Sequence, residues 1–209
     1  PDIIHTLETQ SAGYLLLSVK NDWSRKKRFP IWWHTNWGSD IYLYGRLKKH
    51  RQKIRALLDN CDYYSCECNR DVKLALEYGF KKTIMPVYPN IGGFDFKIID
   101  DIRRGIQKPS KRKYIMLKGH QGWSGRALFG IRALGLIKDK LKGFTLVLYS
   151  IENDSVQIAA ELLTSDSGIE MIAVPKNTKH LDILQLHGSA RISIGLGISD
   201  GISISVLEA

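Results

Sequence analysis

Apolar and polar positions along the first ninety residues follow two periods. Short apolar runs over 2–6, 29–33, 62–66 and 83–87 have the length and residue types of strands. Between them, 10–20, 46–58 and 70–78 carry apolar residues at helical spacing. Pro89-Asn90-Ile91-Gly92-Gly93 breaks the pattern, and the charged stretch over 100–113, with its Pro and Ser, reads as an interdomain linker. The rhythm then restarts, with strands over 114–117, 144–149, 169–174 and 191–198 and helices over 126–141, 155–163 and 181–187. A last helix opens after Asp200. This alternation predicts parallel strands joined by crossover helices, in two doubly wound α/β domains over 1–108 and 109–209. Ligands are expected in the crevice at the carboxyl ends of the strands. Both ends look cut, so a fragment of a longer protein is expected: the first domain lacks opening units and the last helix lacks a C-cap.

Composition narrows this picture. The 209 residues are 44% hydrophobic, enough for one large core or two small ones. No apolar run approaches the roughly 20 residues that span a bilayer, and the first residues do not form a signal peptide. Cys61, Cys66 and Cys68 lack the paired short repeats of a zinc site and have no His at ligand spacing, so they read as free thiols of a reducing cytoplasm. The net charge of +10 is uneven: residues 1–112 hold 21 Lys/Arg and 12 Asp/Glu, residues 113–209 hold 10 and 9. The excess in the first half implies either an anionic partner or a solvated basic surface. Residues 46–58 pose the same choice, between a core-packed helix with a solvated basic face and one drawn to anionic lipid headgroups. The aromatic–basic interleaving of a nucleic-acid module is missing, which argues against such a partner.

Three stretches carry candidate chemistry. Asp200 and Glu208 are separated by seven residues, a spacing that on one helix returns both carboxylates to nearly the same face. Gly201-Ile202-Ser203 between them would then offer free helix N-terminal N–H groups to an anion. An Asp cap and an ordinary helix Glu fit the same spacing. Leu117-Lys118-Gly119-His120-Gln121-Gly122-Trp123-Ser124-Gly125-Arg126 joins a strand to a helix. Its glycines let backbone approach a phosphate that Lys118 and Arg126 would neutralise, although they are spaced neither as a dinucleotide fingerprint nor as a P-loop. An exposed Arg and a turn His are the plainer reading. In Trp37-Gly38-Ser39-Asp40, Asp40 either caps the next helix or binds an acceptor hydroxyl across the cleft; His34 reads as packed.

The Asp200–Glu208 stretch resembles the acid-x7-Glu signature of family-4 retaining glycosyltransferases, which have the two-domain GT-B fold. The resemblance implies that Asp200, where the family normally has Glu, contacts the donor sugar, while the backbone of Gly201, Ile202 and Ser203 faces sugar and phosphate. Glu208 would hold the nucleotide ribose. In the family a Gly-Arg pair ends the first strand of the second domain, a Lys follows six residues later, and both cations bind the diphosphate. Gly119 matches that Gly, His120 stands at the Arg and Arg126 at the Lys; phosphate binding becomes pH-sensitive if His120 must be charged. Trp37-Gly38-Ser39-Asp40 matches a loop that faces the reaction centre, with Trp37 in place of its His. Residues 62–79 and 85–90 resemble the family's last first-domain strand–helix–strand, with Cys68 where a Ser caps the helix. The expected fold class is thus α/β, two Rossmann-like domains of GT-B type, both incomplete.

The activity so implied is a retaining, hexosyl-type transfer from a nucleotide-diphosphate sugar to an acceptor hydroxyl, in glycan or cell-surface polysaccharide synthesis. Asp200 and Asp40 would be catalytic, and Gly119, His120, Arg126, Gly201, Ile202, Ser203 and Glu208 would bind the donor. No cofactor or metal is implied. The acceptor would be a glycan or lipid-linked precursor, and the location cytoplasmic, peripheral to an anionic membrane surface through the basic first half. The fragment itself need not be active. The alternative is a non-catalytic sugar-nucleotide-binding or interaction module, favoured by the missing His and by the replacements at Asp200 and His120.

Overall fold

Every strand in the computed structural model is parallel to its neighbours, as the alternating pattern requires. The structure describes residues 1–23, 28–90 and 93–209. They form two units, Pro1–Ile91 with Ser199–Ile202 and Gly92–Ile198 with Ser203–Ala209.

The first unit contains β1 (Ile3–Leu7), α1 (Tyr14–Asp22), β2 (Ile31–Thr35), α2 (Ser39–Tyr42), α3 (Lys48–Asn60), β3 (Tyr63–Ser65), α4 (Asn69–Glu77) and β4 (Thr83–Ile84). Its sheet order is β1-β2-β3-β4, with Ile4 beside Trp32 and His34 beside Tyr64. Right-handed crossovers that always step the same way keep their helices on one face. There Trp32 and Tyr64 pack with Leu17 of α1, Ile54 and Leu57 of α3 and Ala75 of α4. On alternate positions His5 stacks on Trp33 with ring centroids 4.1 Å apart. The helix expected from residue 10 begins properly only at Tyr14. Glu8, at φ 74°, turns the chain and accepts the amides of Gln10 and Ser11, which closes one wide turn over Thr9–Gly13 first.

The second unit contains α5 (Phe96–Gly105), β5 (Tyr114–Lys118), α6 (Ala127–Gly135), β6 (Thr145–Tyr149), α7 (Asp154–Ser167), β7 (Glu170–Ala173), α8 (His180–Ser189), β8 (Ala190–Ile194) and α9 (Ile204–Leu207). Its sheet order, β7-β6-β5-β8, reverses at β5. The period of two along the strands shows which face each residue serves. Ile115, Leu117, Leu146 and Leu148 pack on one side with Ile131 and Leu134 of α6 and with Val156 and Leu163 of α7. Met116, Val147 and Tyr149 pack on the other with Ile183 and Leu186 of α8. This sheet is therefore wound on both faces.

The stretch read as a linker contains α5. Asp95 accepts the amides of Lys97 (3.0 Å) and Ile98 (3.3 Å) as an N-cap, and Ile102 and Ile106 pack against Gly188 of α8. The second unit thus begins ahead of the boundary expected near 108. Ile91 and Gly92, the centre of the expected break, lie outside the described residues. Among the described residues no helix is long and apolar enough to cross a membrane.

Candidate functional site

A cavity of about 580 Å³ opens in the second unit where β5, β6 and β7 end, lined by Lys118, Tyr149, Lys176, His180, Ser205 and Glu208 among others. Its position follows from topology. Parallel strands present their carboxyl ends to one side, and reversal of strand order at β5 leaves a crevice there. Ser150, directly after β6, lines it at φ 53°, a left-handed conformation that costs a non-glycine residue about 1–2 kcal/mol. The Tyr149 hydroxyl is hydrogen-bonded to Ser205, and burial raises its pKa above the usual phenol value. Glu208, its side chain only 8% exposed, meets His180 Nε2 at 2.6 Å through Oε1.

Beside this cavity runs the glycine loop that follows β5. The amide of Gly119 donates to the Tyr149 carbonyl at 2.6 Å, and a Cβ on Gly119 would stand 3.1 Å from Ile151 Cα. His120 has both ring nitrogens engaged, Nδ1 with Glu152 at 2.5 Å and Nε2 with Ser124 Oγ at 3.0 Å. Arg126 turns back on its own loop, donating to the carbonyls of Gly122 (2.8 Å) and Gly125 (2.7 Å). Its guanidinium is thereby tied to the turn that carries it. Lys118 and Lys176 are the cationic side chains on the cavity wall.

The Asp200 end of the expected motif has a different environment. Ser199–Ile202 belongs to the first unit. Arg70 donates to the Ser199 carbonyl at 2.8 Å, Ser39 Oγ lies 2.6 Å from Ser199 Oγ, and Ser39 Oγ donates to Asp200 Oδ1 at 3.4 Å. The Gly201 amide donates to the Trp37 carbonyl at 3.0 Å, and the Ile202 amide to the Glu67 carboxylate. These partners correct two expectations. The amides of Gly201 and Ile202 are not free for an anion. Asp200 and Glu208 do not share a helix either, because the chain is held in a bend through Ile202 and α9 begins only at Ile204. Ser203 is its N-cap, with extended ψ of 121°.

Asp40 is buried at the start of α2. Its Oδ2 accepts Thr9 N (3.1 Å) and Thr9 Oγ1 (2.9 Å), and its Oδ1 accepts Trp37 N (3.0 Å). Both oxygens are thus occupied within the first unit, and the carboxylate fixes the Trp37–Ser39 turn. Burial raises its pKa to about 6 against the pull of those donors. His34 is packed, as expected. Trp32 Nε1–H donates to Thr6 Oγ1 (2.8 Å) and the Thr6 hydroxyl to His34 Nδ1 (2.9 Å); His34 Nε2–H donates to Thr9 Oγ1 (3.1 Å), which donates to Asp40. Only a neutral Nε2–H imidazole fits that order of donors. Burial, then the nearby His5, lowers its pKa to about 3.

No family model matches the chain, and no curated protein matches it. Solved structures do. Sucrose-phosphate synthase from Thermosynechococcus elongatus superposes with a TM-score of 0.66 at 13% identity, covering 99% of this chain and 53% of that one. α,α-Trehalose 6-phosphate synthase from Burkholderia multivorans gives 0.71 at 10% identity, covering 99% and 52%. The fold is GT-B. The chain spans about half the length of these structures.

Within this fold the second unit gathers Glu208 in the cavity and places Gly119 and His120 on the adjoining loop, while Asp40, Asp200, Gly201 and Ile202 belong to the first unit. Sequence reasoning missed Tyr149, Lys176, His180 and Ser205. The first two had a signal, since they stand at or just beyond the carboxyl ends of strands read at 144–149 and 169–174. Among the described residues no group of three or more His, Cys, Asp or Glu is arranged to hold a metal ion. Cys61 and Cys66 are buried free thiols whose pKa burial pushes up to about 12, which keeps them protonated and unreactive.

Proposed function

We propose that the chain binds a nucleoside diphosphate sugar in the second-unit cavity and serves glycosyl transfer to an acceptor hydroxyl with retention. The observation that carries this reading is the composition of that cavity. It joins two lysines, able to neutralise a diphosphate, to a nearly buried carboxylate, able to accept from ribose hydroxyls, and its volume of about 580 Å³ suits a nucleotide. The GT-B likeness supports the reading, since both matched structures are synthases of phosphorylated disaccharides.

In this proposal Glu208 holds the ribose, and Lys118 and Lys176 meet the diphosphate. His120 and Gly119 shape the adjoining loop, and Arg126 braces it. Stabilising the departing diphosphate with Lys118 and Lys176 is the main rate contribution, with no metal or other cofactor required. Asp40 acts by holding the Trp37–Ser39 turn. The acceptor is a glycan or lipid-linked hydroxyl. The exposed basic side chains of α3, Lys48, Lys49, Arg51, Lys53 and Arg55, draw the protein to an anionic membrane surface.

Incubating the full chain with a panel of nucleoside diphosphate sugars and simple glycoside acceptors, and measuring release of nucleoside diphosphate, tests the reading. One donor is expected to turn over with an anomerically retained product. Saturable donor binding without turnover would instead favour a non-catalytic binding module, which Trp37 at the family's His position also favours. Absence of both binding and turnover would contradict either form.

A further inference from the structure

His180 opens α8 with its side chain 66% exposed, while its partner Glu208 is 8% exposed on the wall of the same cavity. An exposed donor gripping a nearly buried acceptor is an unusual division for a surface ion pair, where both members are normally solvated. The 2.6 Å contact is made by Oε1, and among the described residues Oε2 has no hydrogen-bond partner. A glutamate has three rotatable bonds, and freezing them opposes binding. A carboxylate already held by one oxygen meets a ligand with that cost largely met.

Other groups near Glu208 do not serve as this holder. Tyr149 is hydrogen-bonded to Ser205, and His187, buried on Tyr149 with Nδ1 3.2 Å from Ser193 Oγ, makes no hydrogen bond through Nε2 among the described residues. We infer that His180 is the positioning residue for Glu208: its Nε2–H fixes Oε1 so that Oε2 accepts from the vicinal hydroxyls of a ribonucleotide in the cavity. The neutral Nε2–H tautomer and the imidazolium both supply the required donor, so the role does not depend on charge. A side-chain amide of similar reach supplies it as well. This assignment rests on the nucleotide reading of the cavity and adds a specificity determinant for the sugar ring of the nucleoside.

The test titrates the full chain with the four common ribonucleoside diphosphates, then compares the tightest of them with its 2′,3′-dideoxy analogue in wild type, His180→Ala and His180→Gln. Wild type should prefer the ribo form about tenfold. His180→Ala should lose most of that preference while binding the dideoxy form as wild type does, and His180→Gln should recover a large part of it. An unchanged preference in His180→Ala, or equal weakening of both forms, overturns the positioning role while leaving nucleotide binding intact. A wild type that binds no nucleoside diphosphate overturns the nucleotide reading and this inference together.

Discussion

A Cβ on Gly38 would stand 2.1 Å from the amide nitrogen of Gly201. Gly38 also has φ 104°, a conformation side chains rarely adopt, and the neighbouring Trp37 carbonyl accepts that same Gly201 amide. Two constraints therefore meet at one position, and only glycine satisfies both. Gly79 separates them, because it has the same φ of 104° with nothing within 4 Å of an added Cβ. Gly79→Ala should cost about 1 kcal/mol, and Gly38→Ala about 2–4 kcal/mol. Denaturant midpoints of the two variants check this, and equal losses would show that the approach of Gly201 contributes nothing.

The His34–Thr9–Asp40 chain predicts how stability depends on pH. His34 has a pKa of about 3 in the folded chain against 6.5 when exposed, so the unfolded state binds the extra proton between those values. Folding stability is accordingly lost as pH falls from 6.5 towards 3. Asp40 works the other way. Its pKa of about 6, against 3.8, lets the folded state take up a proton first, which adds stability as pH falls from 6 towards 4 and offsets part of the histidine loss. Asp40→Asn should therefore steepen the acid slope of unfolding free energy between pH 6 and 4, whatever it does to stability at pH 7. A slope identical to wild type would contradict this.

Much of the fold was legible because it depends on local period. Tyr114–Lys118 and Thr145–Tyr149 show the strand pattern directly, and α7 and α8 follow it with apolar residues at helical spacing. The stretch containing α5 was misread because Asp100, Asp101, Arg103 and Arg104 dominate its composition. Its signal was there in Asp95 as cap and in Ile98, Ile99, Ile102 and Ile106 on one face. The bend before α9 had no such signal. What stops a helix at Gly201 and Ile202 is the Trp37 carbonyl and the Glu67 carboxylate, more than a hundred residues away along the chain. Glu208 was legible as a candidate, but its holder His180 was not, since nothing in local spacing links residues 28 apart.

Lys118 and Lys176 should matter in proportion to ligand charge. Replacing either by Ala should weaken a nucleoside diphosphate about ten- to hundredfold, in line with about 1.5–3 kcal/mol for a hydrogen bond to a charged group, while barely changing binding of the uncharged nucleoside. Competition titrations with nucleoside, monophosphate and diphosphate would read the trend. Equal effects on all three would remove the lysines from phosphate binding.

The basic face of α3 should bind anionic vesicles. Ile54, Leu57 and Leu58 bury its apolar side, leaving Lys48, Lys49 and Lys53 exposed, the last with its ammonium 5.2 Å from the Tyr14 ring centroid. At about 1 kcal/mol for each Lys near an anionic surface, changing all three to Glu should reduce partitioning to phosphatidylserine vesicles by two orders of magnitude or more. Co-sedimentation at two salt concentrations checks this. Partitioning insensitive to both salt and the substitutions would leave α3 as a solvated basic face.

The cavity at the ends of β5, β6 and β7 is proposed to hold a nucleoside diphosphate with Glu208 against its ribose. Calorimetric titration of wild type and Glu208→Ala with the four ribonucleoside diphosphates tests it most directly. At least one of them should bind saturably, about tenfold or more weakly to a Glu208→Ala variant that unfolds as wild type does. No binding to wild type, or the same dissociation constant in both proteins, would contradict it.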